Sequence, residues 1–193
     1  MGEETRRSFH LDVRCILIGS SETGKQTFYN RIMDVEFPNN GLACYESEVH
    51  LTLAVSNGDL TGFSLQEVLK GESSKHPRNS NYACVLVFLL IFAVDNKASF
   101  EKVENCYLRR IRTCRSDAPI ILIGNKIDTR DSDDSTEYIT TKMGKDLSEK
   151  LRIPSYMECS SLTGENLRNV MGKAARLGKK KVARLWQKLY DPD

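Results

Sequence analysis

A glycine-rich loop between a predicted strand and a predicted helix is the feature that most constrains this fold. Residues 13–18 (VRCILI) are β-branched and aliphatic, residues 19–27 are GSSETGKQT, and residues 25–33 fit a helix. The loop follows the phosphate-binding pattern G-x-x-x-x-G-K-[ST], except that Gln26 stands where the pattern has a hydroxyl. A tight strand-to-helix turn with an unrelated lysine is the alternative, so the loop alone does not establish a phosphate site.

The rest of the chain alternates strands with helices. Further strands are predicted at residues 48–55, 60–68, 83–94, 119–123 and 156–159, and further helices at residues 99–115, at 136–151 and from 165. The Asn-Gly pair at residues 57–58 indicates a hairpin between the second and third strands. This order predicts an α/β fold with a mostly parallel, six-stranded sheet and helices on both faces. Ligands of such sheets bind at the carboxyl ends of the strands.

Composition restricts the location of the protein. The longest apolar run, residues 83–94, is shorter than the ~20 residues of a membrane-spanning helix. The amino terminus lacks the apolar region of a signal peptide, and Arg6 stands where myristoylation needs Ser or Thr. The 6 cysteines form no C-x-x-C pair, which favours free, mostly buried thiols over zinc ligands or disulfides. We therefore expect a cytoplasmic protein.

The glycine-rich loop supplies the candidate phosphate-binding residues. Backbone N–H groups around the two glycines, together with a lysine at a helix amino terminus, suit phosphate oxygens. The predicted set is Gly19, Ser21, Glu22, Thr23, Gly24, Lys25, Gln26 and Thr27. Gln26 is also the candidate metal ligand, but its amide is longer and differently placed than a hydroxyl for Mg²⁺. The sequence leaves magnesium binding open.

A second motif, GNKID at residues 124–128, directly follows the PIILI strand. Asp128 can accept two hydrogen bonds from the N1–H and exocyclic amine of guanine, which adenine cannot supply. Asn125 would brace the loops, and the stem of Lys126 would cover the ring. Exposed polar turns often have similar composition, but the position after a strand, downstream of the phosphate loop, favours guanine recognition.

A third motif, ECSSLTGENL at residues 158–167, follows the last predicted strand. With the first two motifs it resembles the Ras superfamily of small GTPases, and Phe37-Pro38 and YMECSS at residues 156–161 resemble its Rho branch. The resemblance implies a P-loop NTPase of the Ras-like G-domain type that binds GTP or GDP. It implies guanine binding by Phe37, Asn125, Lys126, Asp128, Ser160, Ser161 and Leu162. Phe37 would pack on the ring, although it also suits the core, and the N–H groups of Ser160 and Ser161 would meet the ring carbonyl.

The positions that sense the third phosphate in this superfamily depart from its pattern. A literal DLTG occurs at residues 59–62, but it lies on the predicted hairpin, too close to the phosphate loop in sequence. Counting at the family intervals instead places degenerate residues at the catalytic positions, namely Cys44, Glu67, Lys70 and Gly71. Gly71 has no side chain to orient a water molecule, and Ser21 replaces a usual glycine beside the reacting phosphate. No catalytic residue is intact, and the resemblance implies weak or absent GTP hydrolysis.

The sequence thus predicts an atypical Rho/Ras-like signalling protein that binds guanine nucleotide. Two alternatives stay open: a slow conventional GTPase aided by a partner, and a nucleotide-free pseudo-GTPase that serves as an interaction scaffold. Protein effectors or regulators would bind the switch surface of a monomer. Nucleic acid is not expected, because a recognition motif is missing.

The carboxyl-terminal residues form a separate basic segment. We divide the chain into an extension (residues 1–12), a G domain (13–177) and a basic amphipathic tail (178–193). The tail carries an apolar stripe, Val182, Leu185, Trp186 and Leu189, opposite its basic residues. A helix on anionic lipid and a helix extension packed on its own domain both fit this pattern. No cysteine follows Cys159, so we expect no prenylation.

Overall fold

A computed structural model describes residues 12–36, 48–54, 60–67, 85–114, 117–131 and 137–190. Its strands are β1 (Asp12–Gly19), β2 (Glu48–Ala54), β3 (Leu60–Glu67), β4 (Val87–Ala93), β5 (Ile120–Asn125) and β6 (Tyr156–Glu158). Its α-helices are α1 (Lys25–Glu36), α2 (Lys97–Lys102), α3 (Arg109–Cys114), α4 (Thr141–Lys150) and α5 (Leu167–Tyr190). A π-helical turn (Val103–Leu108) joins α2 to α3, and a 3₁₀ turn (Ile127–Asp131) follows β5.

The strands form one sheet in the order β2-β3-β1-β4-β5-β6. Only β2 and β3 pair antiparallel, and every other neighbouring pair is parallel. The predicted hairpin and the predicted α/β fold with a mostly parallel sheet are therefore confirmed. Because the parallel strands share a direction, the loops after β1, β5 and β6 lie along the same edge of the sheet.

The sheet is buried on both faces, which explains the unbroken apolar run of β4. All seven residues of β4 are buried. Leu89 and Ile91 join a core with residues of α1 and α5, whereas Phe88, Leu90 and Phe92 join a second core with residues of α3 and the π-helical turn. The alternation of side chains along one strand thus holds both helical layers on the sheet.

Several element boundaries differ from the predicted ones. The helix predicted from residue 99 begins at Lys97, because the side chain of Asn96 accepts the Ser99 N–H and caps the helix. The helix predicted from residue 136 begins at Thr141, since Thr140 caps it and residues 137–140 are not helical. The strand predicted from residue 83 begins at Val87.

The last helix is continuous through the predicted start of the tail. It runs from Leu167 to Tyr190 without a break at Gly178. Gly178 lies against Val13, where a Cβ atom would overlap the valine side chain. Among the described helices, none combines the length and the apolar composition that crossing a bilayer requires.

Candidate nucleotide-binding site

The loop between β1 and α1 has a conformation that depends on its glycines. Glu22 and Gly24 have positive φ angles of 70° and 83°, which turn successive backbone groups towards the same side. A Cβ atom on Gly24 would lie 2.5 Å from the side-chain nitrogen of Asn125, and one on Gly19 would overlap the carbonyl of Ile91 in β4. Both glycines of the sequence motif are therefore required by close contacts.

Lys25 brings a buried positive charge to the amino end of α1. Its Nζ donates to the carbonyl oxygen of Ser20 at 2.8 Å, and the Thr23 hydroxyl donates to the same oxygen at 2.9 Å. The hydroxyl oxygen of Ser20 is buried and makes no hydrogen bond within the protein. An anion at this helix end would meet an ammonium group and backbone N–H groups together, which is the chemistry that phosphate oxygens need.

Asn125, at the end of β5, joins the phosphate loop to the loop after β6. Its amide nitrogen donates to the carbonyl of Thr23 at 2.8 Å. Its amide oxygen accepts from the backbone N–H of Ser161 at 3.0 Å and from the Ser161 hydroxyl at 2.8 Å. Asn125 is completely buried, so these bonds are not exposed to competing water. The predicted bracing role of Asn125 matches this geometry.

Lys126 and Asp128 lie beside this junction. Lys126 has a φ of 66°, and its Nζ forms an ion pair with Asp95 at 3.1 Å. The hydroxyl of Ser160 donates to Oδ1 of Asp128. The carboxylate is thereby oriented at the carboxyl edge of the sheet, on the same side as the phosphate loop. The structure therefore brings the GNKID and CSS motifs together, as the sequence predicted.

One predicted role does not match the observed hydrogen bonds. The backbone N–H of Ser160 donates to the carbonyl of Glu165 at 3.1 Å, and that of Ser161 donates to Asn125. Both N–H groups thus have acceptors within the protein, because the loop after β6 is held by its own turn and by Asn125. The prediction that they point outwards to a ring carbonyl does not describe this arrangement. Leu162, next along the loop, is 70% exposed.

A half-buried charged network, which the sequence analysis missed, supports the loops after β5 and β6. Arg130, at the end of the 3₁₀ turn, donates to both carboxylate oxygens of Glu158 at 2.9 and 2.7 Å. Tyr156 donates its hydroxyl to Glu158 at 2.6 Å, and Thr141 donates at 2.9 Å. The only sequence signal for the pair of Arg130 and Glu158 is their charge. A positive residue stands two positions after GNKID, and a negative residue stands directly before CSS.

The network shifts the pKa values of its members. Burial opposes ionisation of Glu158, but the hydrogen bonds from Arg130, Tyr156 and Thr141 outweigh it and hold the pKa below its ordinary value. The hydrogen bond to Glu158 raises the pKa of Arg130 despite partial burial. Burial and the bond to Glu158 raise the pKa of Tyr156. Burial also raises the pKa of the neighbouring Cys159 thiol to about 12, so this thiol stays protonated and unreactive.

The remaining phosphate-loop candidates face solvent. Ser21, Glu22, Gln26 and Thr27 are exposed. The side-chain nitrogen of Gln26 donates to Asn30 one helical turn later, at 3.0 Å, so the side chain lies along α1. Among the described residues, no group of three His, Cys, Asp or Glu side chains could hold a metal ion. At the position after Lys25, the loop thus carries an amide rather than the hydroxyl of the phosphate-loop pattern.

The register of β3 tests where the switch motif can lie. Gly62, the end of the literal DLTG, pairs with Asp12 at the amino end of β1, seven residues before Gly19. At ~3.3 Å per residue this is roughly 23 Å from the start of the phosphate loop. Glu67 ends β3 and pairs with Leu17, so its backbone lies at the phosphate edge. The rejection of DLTG as the switch motif is confirmed. Phe37, Cys44, Lys70 and Gly71 lie outside the described residues.

Comparison with protein families agrees with this geometry. The model of the Ras family matches residues 14–180. The match includes the phosphate loop, GNKID and ECSS, and therefore every loop that the sheet brings to its carboxyl edge. Members of that family bind GTP and GDP, generally with Mg²⁺. This chain therefore belongs to the Ras family of small GTPases.

Proposed function

We propose that this protein is an atypical, Rho-like small GTPase that binds GTP and GDP and hydrolyses GTP weakly or not at all. The observation that carries the binding proposal is the position of Asp128 after β5, at the carboxyl edge of the sheet, where it accepts a hydrogen bond from the Ser160 hydroxyl. Asn125 connects the same two loops through Thr23 and Ser161. The Rho-like assignment rests on Phe37-Pro38 and the YMECSS run of the sequence.

The candidate residues form two groups, one on each side of Asn125, that would recognise different parts of a guanine nucleotide. Asp128 would accept the N1–H and the exocyclic amine of the base, a pair of donors that adenine lacks. Lys25 and the amino end of α1 would hold phosphate oxygens by charge and by backbone N–H groups. Because Asn125 fixes the distance between these sides, base and phosphates can be held at the same time only when its bonds are intact.

The proposal of weak hydrolysis rests on missing chemical groups. Hydrolysis in this superfamily depends on positioning a water molecule and stabilising charge on the transferred phosphoryl group. Gly71 offers no side chain for that water, and Cys44 and Gln26 replace the hydroxyls that would hold magnesium. Gln26 donates its side-chain N–H to Asn30.

The first experiment identifies what the purified protein carries. The protein is denatured, and the released nucleotide is identified and quantified by liquid chromatography. We expect stoichiometric guanine nucleotide from the wild type and none from Lys25→Ala, which removes the phosphate charge. Release of adenine nucleotide, or of equal amounts from both proteins, would contradict the proposed site.

A single-turnover assay then measures hydrolysis. Protein loaded with γ-labelled GTP should release phosphate far more slowly than a conventional small GTPase measured in parallel. Phosphate release at the rate of that reference would refute the proposal of weak hydrolysis and favour a conventional GTPase.

The main rival is a scaffold that binds no nucleotide. The exposed carboxylate of Glu22 within the phosphate loop favours this rival, because like charges repel. The rival predicts no released nucleotide and no rise in melting temperature with GTP or GDP, with or without magnesium. We expect a rise with either nucleotide, since a ligand that binds only the folded state stabilises it. Signalling partners would then bind the switch surface.

A further inference from the structure

The last turns of α5 extend beyond the sheet at the edge opposite the candidate nucleotide site. The helix starts near the loop after β6 and passes Val13, close to the amino end of β1, at Gly178. Lys181, which is itself buried, then forms an ion pair with the exposed Asp117, in the segment before β5. Residues 182–190 continue for roughly 13 Å at 1.5 Å per residue.

This projecting end carries exposed apolar side chains, which we call the aromatic tip: Leu185, Trp186 and Tyr190. Their exposed fractions are 37%, 55% and 74%. The rings of Trp186 and Tyr190 stack with centroids 5.1 Å apart and planes 8° apart. Upstream, the corresponding face of the helix is buried, with Met171 and Ala175 in the core beneath α1. The aromatic tip therefore lies on the same face of the helix as these buried residues, but its own side chains are exposed.

A line of positive charge runs beside the tip. Lys180, Arg184 and Lys188 are exposed and four residues apart, so they share one side of the helix, which we call the basic line. The helix contains no acidic residue. Asp117, an acidic residue that the helix contacts, forms its ion pair with Lys181. In the sequence, Asp191 and Asp193 follow the helix and offset only part of this charge.

We propose that the end of α5 binds the surface of an anionic lipid bilayer, with the aromatic tip in the interfacial layer and the basic line on the headgroups. Indole and phenol rings favour the membrane interface because one part of each is apolar and another part forms hydrogen bonds. Lysine and arginine near the surface are attracted to anionic headgroups. A rigid helix end presents both kinds of group on adjacent faces, as interfacial helices do.

The geometry sets the orientation of the bound protein. β1 begins beside α5 at Val13 and ends at the phosphate loop, so the strand separates the two sites. A bilayer at the end of α5 would leave the carboxyl edge of the sheet facing the aqueous phase. The membrane contact then neither requires nor blocks an occupied nucleotide site, and it can be tested whether or not the proposed function is correct.

Trp186 is the only tryptophan in the chain, so its fluorescence reports directly on the proposed contact. The full-length protein is titrated with phosphatidylcholine vesicles that contain or lack 30% phosphatidylserine. We expect a blue shift of the emission with phosphatidylserine, none with phosphatidylcholine alone, and reversal at high salt, because screening weakens charge attraction. The absence of a shift with phosphatidylserine vesicles would overturn the proposal.

Charge variants separate a specific site from general attraction. The triple variant Lys180→Gln, Arg184→Gln, Lys188→Gln should lose about 5-fold in vesicle affinity per charge, or about 100-fold in total. The matched control removes three exposed positive charges elsewhere, through Arg109→Gln, Lys142→Gln and Lys145→Gln. Equal losses in both triple variants would overturn the proposal, whereas a large loss in the basic-line variant beside a small loss in the control would support it. Unchanged circular dichroism confirms that each variant is folded.

The aromatic contribution is tested with Trp186 retained as the reporter. Leu185→Ala combined with Tyr190→Ala should weaken vesicle binding while leaving the basic line unchanged. Two other occupants of this surface give different results. A blue shift that depends on protein concentration without lipid indicates self-association, and a shift with short RNA but not with vesicles indicates nucleic acid. Either result would overturn the lipid proposal.

Discussion

Replacing Asn125 with alanine would test whether the phosphate loop and the loop after β6 form one hydrogen-bonded unit. The substitution removes the 2.8 Å bond to the Thr23 carbonyl and the bonds from the Ser161 N–H and hydroxyl. The two loops are far apart in sequence, and Asn125 is the buried side chain that contacts both. Alanine would leave their backbone groups in place without a partner.

The expected loss of stability follows from the buried groups that lose their partners. A buried donor or acceptor without a partner costs about 1–3 kcal/mol. The cost arises mainly from the Thr23 carbonyl and the Ser161 N–H, because the Ser161 hydroxyl can rotate. We expect a total loss of ~3 kcal/mol in the free energy of unfolding. For a domain of this size, ~1 kcal/mol lowers the melting temperature by about 2–4 °C. We therefore expect Asn125→Ala to melt roughly 6–12 °C below the wild type.

Thermal and urea unfolding without added nucleotide measure this effect, so the result does not depend on the proposed function. Asn105→Ala is the matched control, because Asn105 is exposed on the π-helical turn. It should change the unfolding free energy by less than about 0.5 kcal/mol. If Asn125→Ala melted within 2 °C of the wild type (roughly 0.5–1 kcal/mol), the inference that Asn125 holds the loops together would be refuted.

Three further predictions concern the helices and the loops after β5 and β6. Asp128→Asn should shift base preference from guanine towards xanthine, measured by competition binding, because an amide can donate to the additional carbonyl of xanthine; unchanged guanine preference would exclude the assigned role. Gly144→Ala should lower stability by about 1–3 kcal/mol, since its Cβ would overlap the ring of Tyr156, whereas Gly172→Ala, with nothing within 4 Å, should be neutral or stabilising. The lowered pKa of Glu158 stabilises the fold above the ordinary value of 4.5, and this contribution is lost as pH falls through the folded-state pKa. The stability difference between the wild type and Glu158→Gln should therefore shrink on acidification below pH 4.5, and a constant difference would contradict the assigned ion pair.

The strands could be predicted because burial on both faces leaves a simple apolar pattern. The exact ends of helices depend on single side chains, such as Thr140, whose hydroxyl accepts the Met143 N–H. The π-helical turn also has a trace in the sequence. Val103 and Leu108 are both buried although they are five residues apart, a spacing that an α-helix would not place on one face. The spacing was visible, but only the structure relates it to the wider turn.

The site motifs could be predicted, but their support could not. Gly24, Asn125 and Asp128 belong to short motifs whose chemistry is specific enough to assign from the sequence. The bidentate pair between Arg130 and Glu158 joins residues that are 28 positions apart. Its formation depends on the parallel pairing of β5 with β6, which brings the end of one strand beside the end of the other. No local pattern encodes that distance.

The stabilising role of Asn125 changes which residue can distinguish a nucleotide-binding protein from a scaffold. A scaffold would also need Asn125, because the loops around it would otherwise contain buried polar groups without partners. Asp128 is different, since it is only partly buried and its bond to Ser160 is partly buried as well. Its substitution should therefore cost little stability but most of the guanine affinity. If the wild type showed no affinity for GTP or GDP and substitution of Asp128 only lowered stability, the motif would serve the fold alone, and the scaffold hypothesis would be the better explanation.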